Sequence, residues 1–131
     1  MAGFTDYLED KVLDHVFGGT SYTAPGTLYV GLFTAAPSDT GGGTEVSGGS
    51  YARKSMAAMT VSGTSPTTAT NGAAVEFVTA TGSWGTITHV GIFDASTSGN
   101  LMAWAALSAS KAVASGDVIR FDAGDLDVTL A

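Results

Sequence analysis

Two histidines are the residues of this chain best suited to acid, base or metal-ligand chemistry. His15 lies at the end of a predicted helix, where the helix dipole favours a cation, and His89 lies within a predicted strand. They are far apart in the sequence, and two histidines alone do not make a metal site. Serine is abundant, but no Gly-x-Ser-x-Gly elbow presents one as a nucleophile. The sequence therefore predicts no catalytic residue, no cofactor and no enzyme activity.

Three aspartates near the C-terminus, Asp122, Asp125 and Asp127, lie around a glycine and could offer oxygen ligands to a calcium ion. Their spacing differs from that of an EF-hand loop. A turn in which the aspartates accept backbone N–H hydrogen bonds explains the same pattern, and we favour it over a metal site. The glycine runs at 41–43 and 48–49 lack the Lys-Ser/Thr of a phosphate-binding loop, so no nucleotide site is predicted.

Arg53 and Lys54 are two of only 5 basic residues in the chain. Ion pairs between these residues and acids of the same chain would be exposed, and each would contribute less than about 1 kcal/mol to the free energy of unfolding. Across an interface between subunits, the same pairs would help to set the orientation of the partners. The sequence leaves both alternatives open. The acidic partners available on the predicted N-terminal helix are Asp6, Glu9, Asp10 and Asp14.

The overall composition limits the classes of protein to which the chain can belong. With 12 acidic and 5 basic residues the formal net charge is −7, which disfavours binding to nucleic acid or to an anionic membrane. The absence of cysteine excludes disulfides and thiolate chemistry. Neither a membrane span nor a signal peptide is predicted. The 131 residues suffice for one domain, and the charged fraction of 13% fits a protein packed in an assembly.

Residues 4–17 have the spacing of an amphipathic helix. Thr5 can cap its start, and Gly18-Gly19 can end it. We expect its apolar stripe to pack over the sheet of its own chain rather than against a partner. The stripe consists of Phe4, Leu8, Val12 and Val16, and it is widened by Leu13 and Phe17.

The strand predicted over residues 28–34 is apolar on both faces and should lie inside a sheet. A long Gly-rich loop or arm, residues 35–50, follows it. We expect this loop to be mobile in the free protein and to become ordered on a partner. Deleting residues 41–49 would then leave the melting temperature of the free domain almost unchanged and would weaken incorporation into particles. The residues predicted at the interface are Thr44, Glu45, Val46, Tyr51 and Arg53.

Further strands are predicted from alternating apolar residues between turn signals. They cover residues 54–62 and 73–78, a hairpin of 86–94 with 101–107, and a pair formed by 117–121 and 126–130. Strands at this spacing predict a mainly β fold, an antiparallel β-sandwich or jelly-roll-like barrel with one N-terminal helix. A single domain over residues 1–131 is expected.

Four sequence segments resemble those of known proteins. They are Leu-Tyr-Val-Gly-Leu-Phe-Thr-Ala-Ala-Pro-Ser-Asp at 28–39, Gly-Thr-Glu-Val-Ser-Gly-Gly-Ser-Tyr-Ala-Arg at 43–53, Thr-His-Val-Gly-Ile-Phe-Asp at 88–94 and Gly-Asp-Leu-Asp-Val-Thr-Leu at 124–130. On these segments the chain resembles a family of small virion proteins of tailed bacteriophages, described as tail-fibre-like, minor tail or head-decoration proteins. The resemblance covers nearly the whole chain and implies a β-rich structural protein without catalytic residues.

The resemblance implies a place in the virion, and we expect a capsid decoration (cement) protein, made in the host cytoplasm, that binds the major capsid protein on the outer shell. The alternative is a minor tail protein at the tail tip or fibre base, which would contact tail-tip or baseplate proteins and a host receptor. A small carbohydrate-binding module is a third hypothesis, although Trp84 and Trp104 are better explained as core or hairpin-end residues. A homo-oligomer, with a trimer favoured, is expected from the contact surface that the helix and the loop offer.

Overall fold

The computed structural model of the protein describes residues 3–130. Over this range the chain forms one helix and a series of mostly short strands, as the many glycines and small residues predict. In chain order these are β1 (Gly3–Phe4), α1 (Asp6–Val16), β2 (Leu28–Ala35), β3 (Thr44–Glu45), β4 (Lys54–Met56), β5 (Thr60–Ser62), β6 (Thr67–Thr70), β7 (Val75–Glu76), β8 (Gly85–Phe93), β9 (Leu101–Val113), β10 (Arg120–Phe121) and β11 (Asp127–Leu130).

The main sheet contains six antiparallel strands in the order β1-β9-β8-β2-β3, with β4 also paired to β2. A second sheet has the order β11-β6-β5, and β10 pairs with β7 in a third. Buried residues from all three sheets share one hydrophobic core, so the smaller sheets cover one face of the main sheet. The fold is therefore mainly β and antiparallel, as predicted, with a sandwich-like core. The described strands do not close into a barrel.

Strand β2 is an interior strand, as its apolar pattern predicts. It pairs with β8 on one side and with β3 and β4 on the other. Val30 and Leu32 point into the shared core and are fully buried. Phe33 belongs to a separate cluster on the opposite face, where it stacks on Phe93 with ring centroids 5.9 Å apart. The alternation of apolar side chains along β2 thus places the shared core on one face of the main sheet and the Phe33–Phe93 cluster on the other.

Two strand predictions are wrong. Residues 54–62 do not form one strand, because β4 belongs to the main sheet and β5 to the second sheet. The predicted pairing of 117–121 with 126–130 is also absent. Instead β10 pairs with β7, and β11 pairs with β6. The hairpin predicted near residues 86–107 is confirmed, and its second strand, β9, continues to Val113.

Helix α1 is confirmed, and the expected packing of its apolar stripe on its own chain holds only for the N-terminal part of the stripe. The Thr5 side chain does not cap the helix; its hydroxyl donates to the carbonyl oxygens of Leu101 and Met102, at 2.6 and 3.1 Å. This anchors the N-terminal end of α1 to the start of β9. No residue of the helix is buried, and Leu13, Val16 and Phe17 at its C-terminal end are largely exposed. The stripe is therefore covered only in part by its own chain.

The long loop over residues 35–50 does not project as a free arm. Ser38 and Gly41 form a β-bridge, and β3 then adds to the edge of β2. Val46 follows β3, is 6% exposed and lies in the shared core. The contacts that offset the entropy cost of ordering this loop thus come from its own chain. The second half of the loop is part of the fold. The prediction that residues 41–49 can be deleted without affecting stability must be replaced.

Candidate interaction surfaces

A buried ion pair lies at the base of the Gly-rich loop. The Arg53 guanidinium donates from Nε to Glu45 Oε2 and from Nη2 to Glu45 Oε1, both at 2.8 Å. The two side chains are 9% and 24% exposed, respectively. The guanidinium carbon also lies 3.4 Å from the centre of the Phe93 ring. Bidentate geometry and an aromatic face are the setting in which arginine cannot be replaced by lysine without loss.

Tyr51 joins the same network and connects it to strand β2. Its hydroxyl donates to Glu45 Oε2 at 2.7 Å and accepts from the backbone N–H of Leu32 at 2.9 Å. Burial and the hydrogen bond to the Glu45 carboxylate raise the pKa of Tyr51 above its ordinary value. The phenol therefore stays protonated and continues to donate at neutral pH. The ring packs edge-on against Trp84, with centroids 5.4 Å apart.

The same arginine fixes a second loop. Arg53 Nη1 donates to the carbonyl oxygens of Ala95 and Ser98, at 2.9 and 2.7 Å. Asp94 closes this loop by accepting from the backbone and side-chain amides of Asn100, at 2.7 and 2.9 Å. The Gly-rich loop and the β8–β9 loop are consequently held together at one end of the main sheet. Loops positioned by a rigid scaffold in this way are common contact surfaces.

The residues predicted at an interface therefore have roles inside the chain. Glu45, Tyr51 and Arg53 form the network, and Val46 is a core residue. Thr44 is exposed, and its contact with another subunit remains a prediction.

Within the chain, Arg53 does not pair with the acids of α1, because it binds Glu45 instead. A pairing of Lys54 with these acids across an interface stays a prediction. Glu45 is the only charged residue in the sequence between Asp39 and Arg53, and this signal could have identified the pair.

The aspartates near the C-terminus form a turn that is organised by a residue the sequence did not single out. Asp125 accepts from the backbone N–H of Asp122 at 2.9 Å. Asn71 is 1% exposed; its Oδ1 accepts from the backbone N–H groups of Gly124 and Leu126, at 3.1 and 2.9 Å. Within residues 3–130, no group of three acidic or histidine side chains is placed to hold a metal ion.

The histidines serve local structure. His15 Nδ1 accepts from the backbone N–H of Tyr22 at 3.0 Å, which ties the end of α1 to the linker that follows. His89 is half-buried against Trp104, with ring centroids 5.8 Å apart. The sequence also contains one Ser-x-x-Lys spacing, at Ser108 and Lys111, but both residues lie on strand β9 and no hydrogen bond joins their side chains.

One apolar surface remains uncovered on the helix, and we name it the helix patch. It consists of Leu13, Val16 and Phe17, which are 58%, 60% and 82% exposed. Spacings of three and four residues place these side chains next to one another on one face of α1. Adjacent large apolar side chains at such exposure mark interaction surfaces more often than isolated ones do.

A groove of about 430 Å³ lies elsewhere on the surface, and we name it the β9 groove. One wall is β9 from Trp104 to Lys111, and the other is the segment 119–127. Beyond Trp104, no strand in the described part of the chain pairs with the outer edge of β9. The apolar lining includes Leu107, Ile119, Phe121 and Leu126.

Comparison with known protein families identifies the family of this chain. A family model described as podophage GP4 fiber I protein gp80 matches residues 3–129. The chain belongs to this family. The resemblance to virion proteins of tailed bacteriophages is thereby confirmed, and the chain is a virion structural protein. No protein in a search of curated sequences matches it. Within residues 3–130, the single helix is too short and too polar to cross a membrane.

Proposed function

We propose that this protein is a component of the tail fibre of a podophage and that it builds fibre contacts rather than catalysing a reaction. The observation that carries the proposal is the family match, which spans residues 3–129 and is described as a fibre protein. Capsid decoration, the role expected from the sequence, has no comparable support. It is retained as the alternative outcome of the test below.

The geometry is consistent with a role in contacts. The Glu45–Arg53 pair holds the Gly-rich loop and the β8–β9 loop together at one end of the main sheet. A contact formed by these loops needs less ordering on binding than one formed by free segments, and this favours affinity. Tail proteins, or a host receptor, are the partners we propose for this end.

The position of the chain in the particle tests the proposal. Phage particles are separated into heads and tails, and the chain is quantified in each fraction by mass spectrometry against a reference peptide of the major capsid protein. We expect the chain in the tail fraction at a few to a few dozen copies per virion. Hundreds of copies in the head fraction would refute the fibre assignment and favour decoration of the capsid.

We further propose that the chain acts as a homo-oligomer, with a trimer as the favoured state. The exposed helix patch and the open β9 groove give one small domain more contact surface than its own core requires. Size-exclusion chromatography with light scattering gives the mass of the free protein. A monomer over the whole accessible concentration range would contradict this part of the proposal.

A further inference from the structure

We propose that the helix patch of one copy inserts into the β9 groove of the next copy. This inference deepens the homo-oligomer of the proposed function and rests on it. The two surfaces are separate on the molecule, since no residue of α1 lines the groove. One is a projecting apolar surface, the other is a recess that combines apolar side chains with charged ones, and each lacks a cover within residues 3–130.

The apolar parts of the two surfaces match in kind and in size. Phe17 is the most exposed large apolar side chain of the described residues, at 82%. A groove of about 430 Å³ lies within the range of small-ligand pockets, so it can take an aromatic ring together with a neighbouring aliphatic side chain. Aromatic residues that enter such recesses dominate the binding free energy of protein interfaces. Phe17 is thus the expected anchor, supported by Leu13.

The charges at the edges of the two surfaces select an orientation. Glu9, Asp10 and Asp14 border the helix patch one turn before Leu13 and Phe17. At the groove, Lys111 forms no ion pair with any other described residue. The second cation of the groove, Arg120, already binds Glu76 and Asp122. Lys111 is therefore the cation available to the acidic border of an incoming copy.

Two acidic residues of the groove repel the acidic border of the helix patch and restrict the orientation in which the patch can enter. Asp125 and Asp127 lie on the wall formed by the segment 119–127. The acidic border of the helix patch must stay away from them, because like charges in contact disfavour binding. The patch is therefore expected to enter with its border beside Lys111. This places β9 of one copy against α1 of the next.

The contact joins two different surfaces, and it is heterologous when the copies are arranged head to tail. Repeated from copy to copy, a heterologous contact closes into a ring when the rotation between copies permits it. A ring of three such contacts buries every helix patch and fills every groove. It is therefore compatible with the trimer proposed above. A two-fold dimer in which each patch enters the partner's groove would form the same contact twice, and the mass of the wild type in solution distinguishes the two arrangements.

Two variants test the contact by removing one surface at a time. Phe17→Asp disables the helix patch and leaves the groove intact. The double variant Ala106→Gln with Ala109→Gln fills the groove from exposed positions on β9 and leaves the patch intact. Matched controls are Val61→Asp, at an apolar residue that is 67% exposed on β5, and Ala112→Gln, on β9 outside the groove. Circular dichroism checks that every variant is folded.

Light scattering and sedimentation then measure self-association of each protein alone and of the two variants mixed in equal amounts. We expect each surface variant to self-associate at least about 30-fold more weakly than the wild type, as for loss of an interface anchor. The mixture should form a dimer with one copy of each variant and nothing larger, because only one intact patch and one intact groove remain. The controls should behave as the wild type does.

Three results would overturn the contact: a wild type that stays monomeric, a folded surface variant that associates as the wild type does, or a mixture that stays monomeric. A wild-type trimer that neither variant affects would leave the homo-oligomer in place and remove only this contact. Absence of the chain from the tail fraction would refute the fibre assignment without changing the association measured here. Lys111→Glu should also weaken association, whereas Lys54→Glu, at an exposed lysine on β4, should not.

Discussion

Replacing Glu45 with alanine should be among the most destabilising single changes at the loop end of the molecule. The change leaves Arg53, whose side chain is only 9% exposed, without its anionic partner, and it removes the acceptor of the Tyr51 hydroxyl. Removal of one member of a buried ion pair costs about 3–5 kcal/mol. Because Glu45 itself is 24% exposed, we expect the lower end, about 3 kcal/mol. For a domain of this size that corresponds to a decrease of about 10 °C in Tm.

The chain contains a matched control for this change. Glu76→Ala removes an ion pair with Arg120 in which the side chains are 56% and 53% exposed, respectively. An exposed pair contributes less than about 1 kcal/mol, so Tm should fall by no more than about 3 °C. Thermal unfolding followed by circular dichroism, with urea titration as a second measurement, compares the two variants. Equal losses for Glu45→Ala and Glu76→Ala would refute the view that the buried pair holds the loops in place.

Four further outcomes follow from the described contacts. Gly31→Ala would bring a methyl group within 2.8 and 2.9 Å of two neighbouring side-chain atoms and should cost about 1–3 kcal/mol in urea titration, whereas Gly26→Ala has open space around it and should cost less. Asn71→Ala leaves the buried backbone N–H of Leu126 without its acceptor and removes the side-chain donor to the carbonyl oxygens of Ala73 and Asp122, and a loss of about 1–3 kcal/mol in urea titration is expected. Because the folded-state pKa of Tyr51 is raised above 10.0, the stability that it contributes is present below pH 10.0 and is lost as the pH rises beyond it, so Tyr51→Phe should flatten the fall in Tm at alkaline pH. Deleting residues 41–49 removes a core valine and the carboxylate of the buried pair, so the free domain should melt well below the wild type in a calorimetric scan, and an unchanged Tm would contradict the packing of this loop.

The parts of the fold that depend on local periodicity were predictable. The alternation along residues 28–34 separates the residues that enter the shared core from Tyr29 and Phe33 on the opposite face. The β8–β9 hairpin was predictable for a related reason: its strands are neighbours in sequence as well as in the sheet, and the turn between them is polar.

The parts that depend on contacts between distant segments were not predictable. Residues 117–121 and 126–130 have the pattern of a hairpin, but their strands pair with β7 and β6, which are distant in the sequence. The apolar stripe on α1 has the spacing of a helix that packs against a core. Its sequence does not indicate whether the surface that covers the stripe belongs to the same chain or to another copy. Asn71 is one of many small polar residues in the sequence, and its importance follows only from its burial beside the C-terminal turn.

The anchoring of α1 has a consequence for the order of events on the ribosome. The Thr5 hydroxyl binds carbonyl groups that lie 96 and 97 positions later in the chain, so the N-terminal helix cannot dock until β9 has been synthesised. The second wall of the β9 groove is formed by residues 119–127, which emerge later still. A nascent chain translated through β9 but not through residues 119–127 can therefore present its helix patch to a neighbour on the same messenger RNA, but it has no groove to receive one. If copies associate as proposed, two chains translated only as far as β9 cannot bind each other, and every contact needs at least one copy in which residues 119–127 have been synthesised and folded.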